Sequence, residues 1–436
     1  MTLFLYNFIW QILKNFIPMY LRYRFRKGKE EENRIHERYG VSLRKRNYGH
    51  LIWLHGSSVG ESVAALALAN SMLKIGFNKI DLKFLITTNT VTSARFVKSK
   101  IDSGFPGIHQ YHPFDHPNYV NKFLSHWKPD MAIFLESDFW PNLIYLTSLK
   151  KIPTILASSQ MSIKSSRFWR GIGNLLAKKI FKNVQLVLAV DPHQANLFKK
   201  LGAKNIKSLT SLKSIAEKPP IDIVYMNQIK SKVNDKKVLL AASTHPGEEE
   251  ILIQLANSFR QKAIHNVLII IVPRHTKRSQ SIQKLIKNAG YDIKCRSKKE
   301  LPHKNDYFYL ADTMGEMGSL IEISNLVFVA GSMVEKIGGH NPAEAANFGK
   351  AVIMGPFTEK CNAQINDLVW SGGGIKIELN KKYKINFVST VHQLMNEPLR
   401  MEDMGKNALE ASGYAQLRAD EAGEYLFSIF KNKVLK

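Results

Sequence analysis

Short apolar runs recur along the chain and alternate with longer stretches of helical periodicity. Continuous apolar runs of about four to eight residues are typical of strands that are buried on both faces of a parallel sheet. They occur at residues 51–54, 84–87, 131–135, 154–157, 186–190, 238–242, 267–272, 307–311, 326–330 and 351–354. The pattern therefore predicts successive βαβ units in an α/β fold.

A polar, proline-containing stretch around residues 217–221 interrupts this alternation. A chain of 436 residues is too long for one ordinary core and suits two domains. We expect two doubly wound, Rossmann-like lobes at 30–216 and 217–436, with a hinge near residue 217 and a cleft between the lobes. The segment from about Met401 onward is predicted to be helical, and it could close the second lobe or cross back onto the first.

The N-terminus has a different pattern, because Leu3 to Leu21 is mostly apolar and aromatic. Its polar residues fall at helical spacing on one narrow face, and basic residues follow directly: Asn7, Gln11, Lys14 and Asn15, then Arg22, Arg24, Arg26, Lys27 and Lys29. A spanning helix needs about 20 apolar residues. We therefore predict that residues 1–29 form an interfacial membrane anchor whose basic flank faces anionic lipid. A helix packed on the protein body is the alternative, and a cleaved signal is disfavoured because the charges follow the apolar run.

The charge balance favours an anionic partner. Lys and Arg total 62 against 36 Asp and Glu, which gives a net charge of +26. Charge alone does not choose among nucleic acid, a phospholipid surface and a phosphorylated substrate. The only cysteines, Cys295 and Cys361, lie far apart without metal-ligand spacing, so no disulfide framework or zinc site is indicated and a reducing compartment fits.

Two strand ends in the first lobe carry candidate catalytic carboxylates. The turn HGSSVGES (55–62) lacks the G-x-G-x-x-G and P-loop patterns, but it places Glu61 at a helix N-terminus, where the helix dipole favours an ionised general base. A purely helix-stabilising Glu is the alternative. The segment FLESDFWPN (134–142) places Glu136 and Asp138 at another strand tip. Surface solvation is the alternative for Asp138, and Trp140 fits the core better than a substrate platform.

The second lobe offers groups that can hold a nucleotide's phosphate and ribose. In the loop 331–356, Gly338 and Gly339 allow close backbone approach, while Asn341 and Glu344 are either nucleotide ligands or an N-cap with its capping-box partner. Other turns add hydroxyls, cations and a further glycine: Ser243 and Thr244, Arg274, His275 and Arg278, and Gly315. The arginines suggest an anion clamp, whereas His275 alone resembles an ordinary loop histidine.

Taken together, these segments closely resemble the 3-deoxy-D-manno-octulosonic acid (Kdo) transferase family. The motifs occur in family order: SSVGE (57–61), ESDFWPN (136–142), ASTHPGEE (242–249), PRHTKR (273–278), DTMGEM (312–317) and GGHNPAEAANFGK (338–350). The resemblance implies a two-lobed GT-B fold, an inverting mechanism, and CMP-Kdo as a donor that needs neither cofactor nor bound metal. Glu61 would be the base and Glu136 a second essential carboxylate. Donor-binding residues would be Ser243, Arg274, His275, Gly315, Gly338, Asn341 and Glu344.

The resemblance also implies the partners and the location. The acceptor would be a phosphorylated lipid A precursor in lipopolysaccharide inner-core biosynthesis, at the cytoplasmic face of the bacterial inner membrane. No nucleic acid is expected as a partner. Two segments depart from the family pattern. Ser158-Ser159-Gln160 stands where Asn-x-Arg is common, and Thr210-Ser211-Leu212-Lys213 stands where Gly-Asn-Leu-Lys is usual.

Two alternative functions stay open at this point. Another GT-B glycosyltransferase, using for instance a UDP-sugar, would share the fold but not the pair of SSVGE and ESDFWPN motifs. A basic binding protein at a membrane or on nucleic acid would account for the charge, but no nucleic-acid motif supports it and both Glu61 and Glu136 are retained.

Overall fold

The computed structural model describes residues 1–46, 48–77, 80–209, 211–212 and 218–435. The chain divides into two compact units, the first comprising Met1–Ile215 with Ala415–Lys436 and the second Ala216–Tyr414. Each unit contains a seven-stranded sheet whose strands all pair in parallel. The predicted pair of parallel α/β lobes is therefore confirmed, while the hinge expected near residue 217 lies outside the described residues.

The first unit contains seven strands in the order β3-β2-β1-β4-β5-β6-β7. The strands are β1 His50–His55, β2 Leu82–Thr88, β3 Gly107–Tyr111, β4 Met131–Leu135, β5 Thr154–Ser159, β6 Leu186–Ala189 and β7 Ile206–Ser208. The helices are α1 Leu3–Leu13, α2 Ile17–Arg26, α3 Val59–Ile75, α4 Val91–Asp102, α5 Pro117–Trp127, α6 Pro141–Leu149, α7 Ile163–Arg170, α8 Asn174–Phe181 and α9 Pro192–Lys200. The order in which the chain adds strands reverses at β1: β2 and β3 lie on one side of it, and β4 to β7 lie on the other.

The second unit repeats this plan with the order β10-β11-β9-β8-β12-β13-β14. Its strands are β8 Lys237–Thr244, β9 Val267–Pro273, β10 Ile293–Cys295, β11 Phe308–Leu310, β12 Leu326–Val329, β13 Ala351–Met354 and β14 Gly374–Lys376. Its helices are α10 Ile223–Val233, α11 Glu249–Gln261, α12 Ser279–Asn288, α13 Met317–Ile323, α14 Ala343–Asn347, α15 Asn362–Trp370, α16 Tyr383–Asn396 and the start of α17 Pro398–Lys433. Here the order reverses at β8, which lies between β9 and β12.

Both faces of each sheet are buried, which explains the continuous apolar runs of the central strands. In β1, Trp53 packs into the core on one face of the sheet, while Ile52 and Leu54 pack into the core on the other face. Ligands of such open parallel sheets bind beyond the carboxyl ends of the strands, where the order reverses. From this fold we expect ligand sites at the ends of β1 and β4 in the first unit and of β8 and β12 in the second.

The last helix corrects the predicted domain boundary. Met401 and Met404 of α17 belong to a core of the second unit, but Ala419, Leu426 and Phe430 belong to a core of the first. The ring of Phe430 lies 5.1 Å from that of Phe77. The expectation that residues 217–436 form one lobe is therefore wrong for residues 415–436, because the apolar face of the helix there is buried in the first unit.

The apolar N-terminus is not a single helix. α1 ends at Leu13, a 3₁₀ turn follows, and α2 begins at Ile17 with Pro18 in its first turn. Over the residues that the structure describes, no helix is long and apolar enough to cross a membrane. The hydroxyl of Tyr6 donates to Asp115 Oδ2 at 2.8 Å, so α1 is fixed to the body of the first unit.

Candidate active site

Glu61 lies at the start of α3, directly after β1. Ser58 caps this helix, and the Ser58 and Glu61 side chains form a reciprocal capping box. Glu61 Oε2 accepts hydrogen bonds from the backbone amides of Ser57 at 2.6 Å and Ser58 at 3.2 Å. A carboxylate offers about four lone-pair sites on two oxygens. Glu61 therefore does stabilise its helix, and that role is compatible with accepting a proton.

Glu136 follows β4, the strand beside β1. Its backbone takes a left-handed conformation with φ of 62°, which non-glycine residues adopt rarely and mainly where the surroundings fix it. The buried carboxylate accepts from Ser158 Oγ at 2.8 Å and from Gln160 Nε2 at 2.6 Å. The residues that depart from the family pattern thus hold this carboxylate.

Two histidines that the sequence patterns do not single out lie at the same sheet edge. His55 ends β1; its Nδ1 lies 2.9 Å from Thr87 Oγ1, and its Nε2 lies 3.6 Å from Asp138 Oδ2. The ring of His112, after β3, packs 5.0 Å from the His55 ring and 5.4 Å from Trp140. Burial, and then the nearby His55, hold the pKa of His112 well below its usual range, so His112 is neutral. Asp138, for which surface solvation was the alternative, keeps 22% of its side chain exposed and faces the buried His55.

Unpaired polar atoms concentrate at this edge. Within the described part of the chain, several buried side-chain atoms around the ends of β1, β4 and β5 make no hydrogen bond: Ser57 Oγ, His55 Nε2, Trp140 Nε1, Asn142 Oδ1 and Ser159 Oγ. Buried polar groups are nearly always paired in folded proteins. A polar ligand with several hydroxyl or phosphate groups could form hydrogen bonds with these atoms.

The candidate donor residues of the second unit follow four neighbouring strands. Gly315 follows β11, Arg274 and His275 follow β9, Ser243 is the second-to-last residue of β8, and the loop with Gly338 follows β12. The backbone amide of Arg274 donates to the carbonyl of Thr244 at 3.1 Å, which joins the ends of β9 and β8. Arg274 and His275 have exposed side chains. The parallel sheet therefore brings these sequence-distant groups to one edge.

The charge of Arg274 acts on both His340 and Glu344, so these three residues lie near one another at this edge. His340 Nε2 lies 2.8 Å from His245 Nε2, and the two rings stack at 5.1 Å. Burial and then the positive charge of Arg274 lower the pKa of His340 to about 4. Arg274 also acts on Glu344, where it opposes the desolvation that raises the pKa of this carboxyl. His245 and His340 lie within the predicted motifs but were not themselves predicted as site residues.

Asn341 makes a local hydrogen bond at the start of α14, although the N-cap of this helix is Pro342 rather than Asn341. Its Oδ1 accepts from the backbone amide of Ala343 at 3.1 Å, at the start of α14. Gly338 and Gly339 precede it with φ of 78° and 82°, values that favour glycine. Gly315 has φ of 89° and open space where a side chain would be. A ligand can therefore approach the backbone closely at Gly315, whereas the space beside Gly338 and Gly339 is taken by Glu359, Lys360 and the backbone of Phe357.

Two buried carboxylates that sequence inspection missed organise the loops of this edge. Glu248 accepts from the backbone amides of Gly331 at 2.8 Å and Met333 at 3.1 Å, and so ties the turn after β8 to the loop after β12. Glu249 forms two 2.8 Å bonds with Arg278. Arg278 is therefore part of the scaffold rather than of the predicted anion clamp, and of the two arginines of that clamp Arg274 is the exposed one.

Comparison with known proteins decides the family. A family model described as 3-Deoxy-D-manno-octulosonic-acid transferase (kdotransferase) matches residues 33–216. A 3-deoxy-D-manno-octulosonic acid transferase of Rickettsia bellii is 32% identical over 351 residues, which cover 80% of this chain and 82% of the relative. The chain belongs to the Kdo transferase family. A Kdo transferase of Haemophilus influenzae is 31% identical and covers 76% of this chain and 77% of its own length.

Similarity to solved structures extends over both units. The structure titled UDP-GlcNAc 2-epimerase from Neisseria meningitidis bound to UDP-GlcNAc aligns with a TM-score of 0.58 and 15% identity, covering 87% of this chain and all of the other. At that identity the match reports the fold alone. Two parallel-sheet α/β units of this kind resemble GT-B glycosyltransferases. The predicted Kdo transferase membership and the predicted GT-B class are thus confirmed, and the roles of individual residues stay predictions.

Proposed function

We propose that this Kdo transferase moves Kdo, with inversion, from CMP-Kdo to a hydroxyl group of a phosphorylated lipid A precursor. The main supporting observation is the position of Glu61, a carboxylate at a helix N-terminus beside the reversal point of the first sheet. Glu136 follows the neighbouring strand. Kdo transfer is the activity that gives the family its name, and the specific donor and acceptor come from that membership.

In the proposed reaction, Glu61 removes the proton from the acceptor hydroxyl. The hydroxyl oxygen then attacks the anomeric carbon of Kdo, while the bond from that carbon to the phosphate oxygen breaks and CMP leaves with the electron pair. The partial positive charge of the α3 N-terminus keeps Glu61 ionised before it accepts the proton. Glu136, held in place by Ser158 and Gln160, serves as a fixed negative charge that orients the sugar or acceptor.

The second unit is proposed to hold the donor. Arg274 is exposed, and its guanidinium geometry matches a phosphate. Gly315 allows the backbone to approach the ligand, and the loop with Gly338, Asn341 and Glu344 is proposed to bind the nucleotide. Ser243 and His275 complete the proposed set, because both lie on the strand ends next to Arg274.

The N-terminal helices are proposed to lie on the cytoplasmic face of the inner membrane. Phe4 and Met19 are 82% and 66% exposed, although both are large apolar side chains. The first 29 residues contain six Lys or Arg and no Asp or Glu. An exposed apolar surface with basic residues suits binding in the plane of an anionic membrane interface.

The function is tested by incubating the detergent-solubilised protein with CMP-Kdo and tetraacylated lipid A precursor, followed by mass spectrometry of the glycolipid. We expect a mass gain of one or more Kdo units. An unmodified acceptor beside an active control transferase would contradict the proposal. Donor analogues carrying other nucleotides then separate Kdo transfer from use of another sugar donor.

The role of Glu61 is tested with Glu61→Gln. Glutamine can replace glutamate in a capping box, so helix α3 should form and thermal unfolding should change little. Loss of a general base typically lowers the rate by about 10²- to 10⁴-fold. We expect that loss in kcat with CMP-Kdo binding retained. A variant with most of its rate left would remove Glu61 from the role of base.

A further inference from the structure

The first unit contains an apolar cavity to which the proposed reaction assigns no part of either substrate. It lies between α1, α2 and the loop after β3, and its volume is about 660 Å³. Aromatic and aliphatic side chains form its wall, among them Trp10, Leu13, Ile17, Tyr20 and Phe114. Pockets for small ligands typically measure about 300–1,000 Å³. The cavity is thus large enough for a specific apolar ligand.

One short loop separates this cavity from the candidate active site. Phe114 contributes to the cavity wall, where its ring lies 6.3 Å from Trp10 and 6.2 Å from Tyr20. Its neighbour His112 packs against His55 at the end of β1. Asp115, on the other side, accepts from the backbone amide of Asn142 in the motif that begins with Glu136. A molecule that occupies both places must have an apolar end and a polar end.

The charges around the cavity indicate that the polar end is anionic. Lys14 directly follows the wall residue Leu13, and its charge lowers the pKa of His116, so it lies near the same loop. Arg22 and Arg26 project from α2 with exposed side chains. No acidic residue occurs before Glu30. An apolar wall, basic residues on the helices that form it and a nearby polar sheet edge together match an acylated, phosphorylated sugar.

We propose that this cavity binds one acyl chain of the phosphorylated glycolipid acceptor and thereby orients its sugar toward Glu61. The inference rests on the proposed function, because it assigns the cavity to the lipid part of that acceptor. Burial of methylene groups makes such binding depend on chain length, at roughly tenfold in affinity for every two methylenes. A chain from a bulk phospholipid would not place a sugar hydroxyl at the strand ends.

A substitution that fills the cavity tests the proposal. Leu13→Trp places a larger ring at the wall, and Leu5→Trp is the matched control, because Leu5 is on α1 outside the wall and the two leucines are 45% and 47% exposed. Both full-length variants are assayed with the tetraacylated acceptor and with its fully deacylated form. The quantity compared is kcat/KM for the acylated acceptor divided by kcat/KM for the deacylated acceptor. We expect this ratio to fall about tenfold in Leu13→Trp and to keep its wild-type value in Leu5→Trp.

An equal fall of this ratio in the two variants would overturn the proposal, because it would show that α1 acts only as a general membrane-binding surface. A binding measurement separates this result from failure of the proposed reaction. Trp10 lines the cavity, so an acceptor brominated on its acyl chains should quench wild-type fluorescence more than that of Trp10→Phe. Equal quenching by vesicles of brominated phosphatidylglycerol would assign the cavity to bulk lipid instead. Absence of Kdo transfer together with selective quenching would contradict the proposed reaction but not acyl-chain binding.

Discussion

Among single residues, Glu136 is held by side chains that depart from the expected family pattern. The family resemblance leads one to expect Asn-x-Arg where this chain has Ser158-Ser159-Gln160, and the side chains of Ser158 and Gln160 donate to the two oxygens of Glu136. Ser158 also accepts from the amide of Leu212 at 3.1 Å, so it links two segments that depart from the family pattern. An amide donor thus occupies the position where the resemblance leads one to expect a guanidinium.

Gln160→Ala is expected to lower kcat about tenfold and to leave KM for CMP-Kdo nearly unchanged. The hydrogen bond to an ionised carboxylate is worth about 1.5–3 kcal/mol, and its loss lets Glu136 leave its reactive position. Gln160→Arg should retain activity, because a guanidinium can donate to the same oxygen. Gln194→Ala is the control, since the Gln194 side chain bonds to the backbone of Met161, the residue after Gln160. An equal kcat loss in that control would indicate general loop disorder instead.

Sequence inspection found Glu61 and Glu136 because each follows an apolar strand at a recognisable turn. It missed His55 and His112 for a physical reason. A single histidine at a strand end has no periodicity, and these two meet only because β1, β2 and β3 pair side by side. Glu248 was missed in the same way, since its partners Gly331 and Met333 are more than eighty residues away.

At the scale of elements, the strands that the sequence pattern predicts are the central ones. The four strands it misses are β3, β7, β10 and β14, and they are the two edges of each sheet. β7, β10 and β14 have three residues each, and Lys207 and Ser208 of β7 are exposed. β3 is buried but includes His109 and Gln110. Edge strands are covered less or paired on one side only, so they carry no continuous apolar run.

Helix α6 illustrates an element whose start is determined by a distant residue. Its N-cap, Trp140, makes no capping bond, and Asp115 instead accepts from the amides of Asn142 at 2.9 Å and Leu143 at 2.7 Å. Asp115 also accepts from Tyr6 of α1. Full burial raises the pKa of its carboxyl to about 7, against the opposing effect of these hydrogen bonds. The Asp115 side chain therefore caps α6 and binds α1, and burial raises the pKa of the same carboxyl group.

The stability of the first unit should accordingly depend on pH through Asp115. The native carboxyl holds its proton up to about pH 7, whereas the unfolded one loses it near pH 4, so the native state binds more protons between these values. Stability from this group is complete below about pH 4 and is lost as the pH rises toward 7. The difference in unfolding free energy between wild type and Asp115→Asn should therefore shrink from pH 5 to pH 7.

Urea unfolding followed by tryptophan fluorescence measures this difference, since five of the six tryptophans belong to the first unit. Asp191→Asn is the comparison variant, because Asp191 caps α9 from a half-buried position. A difference that stays constant across the pH range for Asp115→Asn would show that burial does not keep this carboxyl protonated.

At the scale of the whole molecule, α17 is the element that belongs to both units. The sequence predicted a terminal helix but left open which lobe it completes, because an Ala-rich face with widely spaced large residues fits either core. The structure divides it: Met404 packs in the second unit, while Ala422 and Phe430 pack in the first. Helical periodicity predicts such a helix. The cores against which it packs depend on where the helix begins in the folded molecule, which the periodicity does not report.

Phe430→Ala should destabilise the first unit although the substitution lies at the opposite end of the sequence from most of that unit. The ring is fully buried and lies 5.1 Å from Phe77 and 5.3 Å from His50, so its removal should cost about 3–5 kcal/mol. Hydrogen exchange should rise in β1 and α3 far more than in β8 and β9. Leu417→Ala, at a position 63% exposed on the same helix, should change exchange little. Equal acceleration in both units for Phe430→Ala would mean that they unfold as one cooperative body.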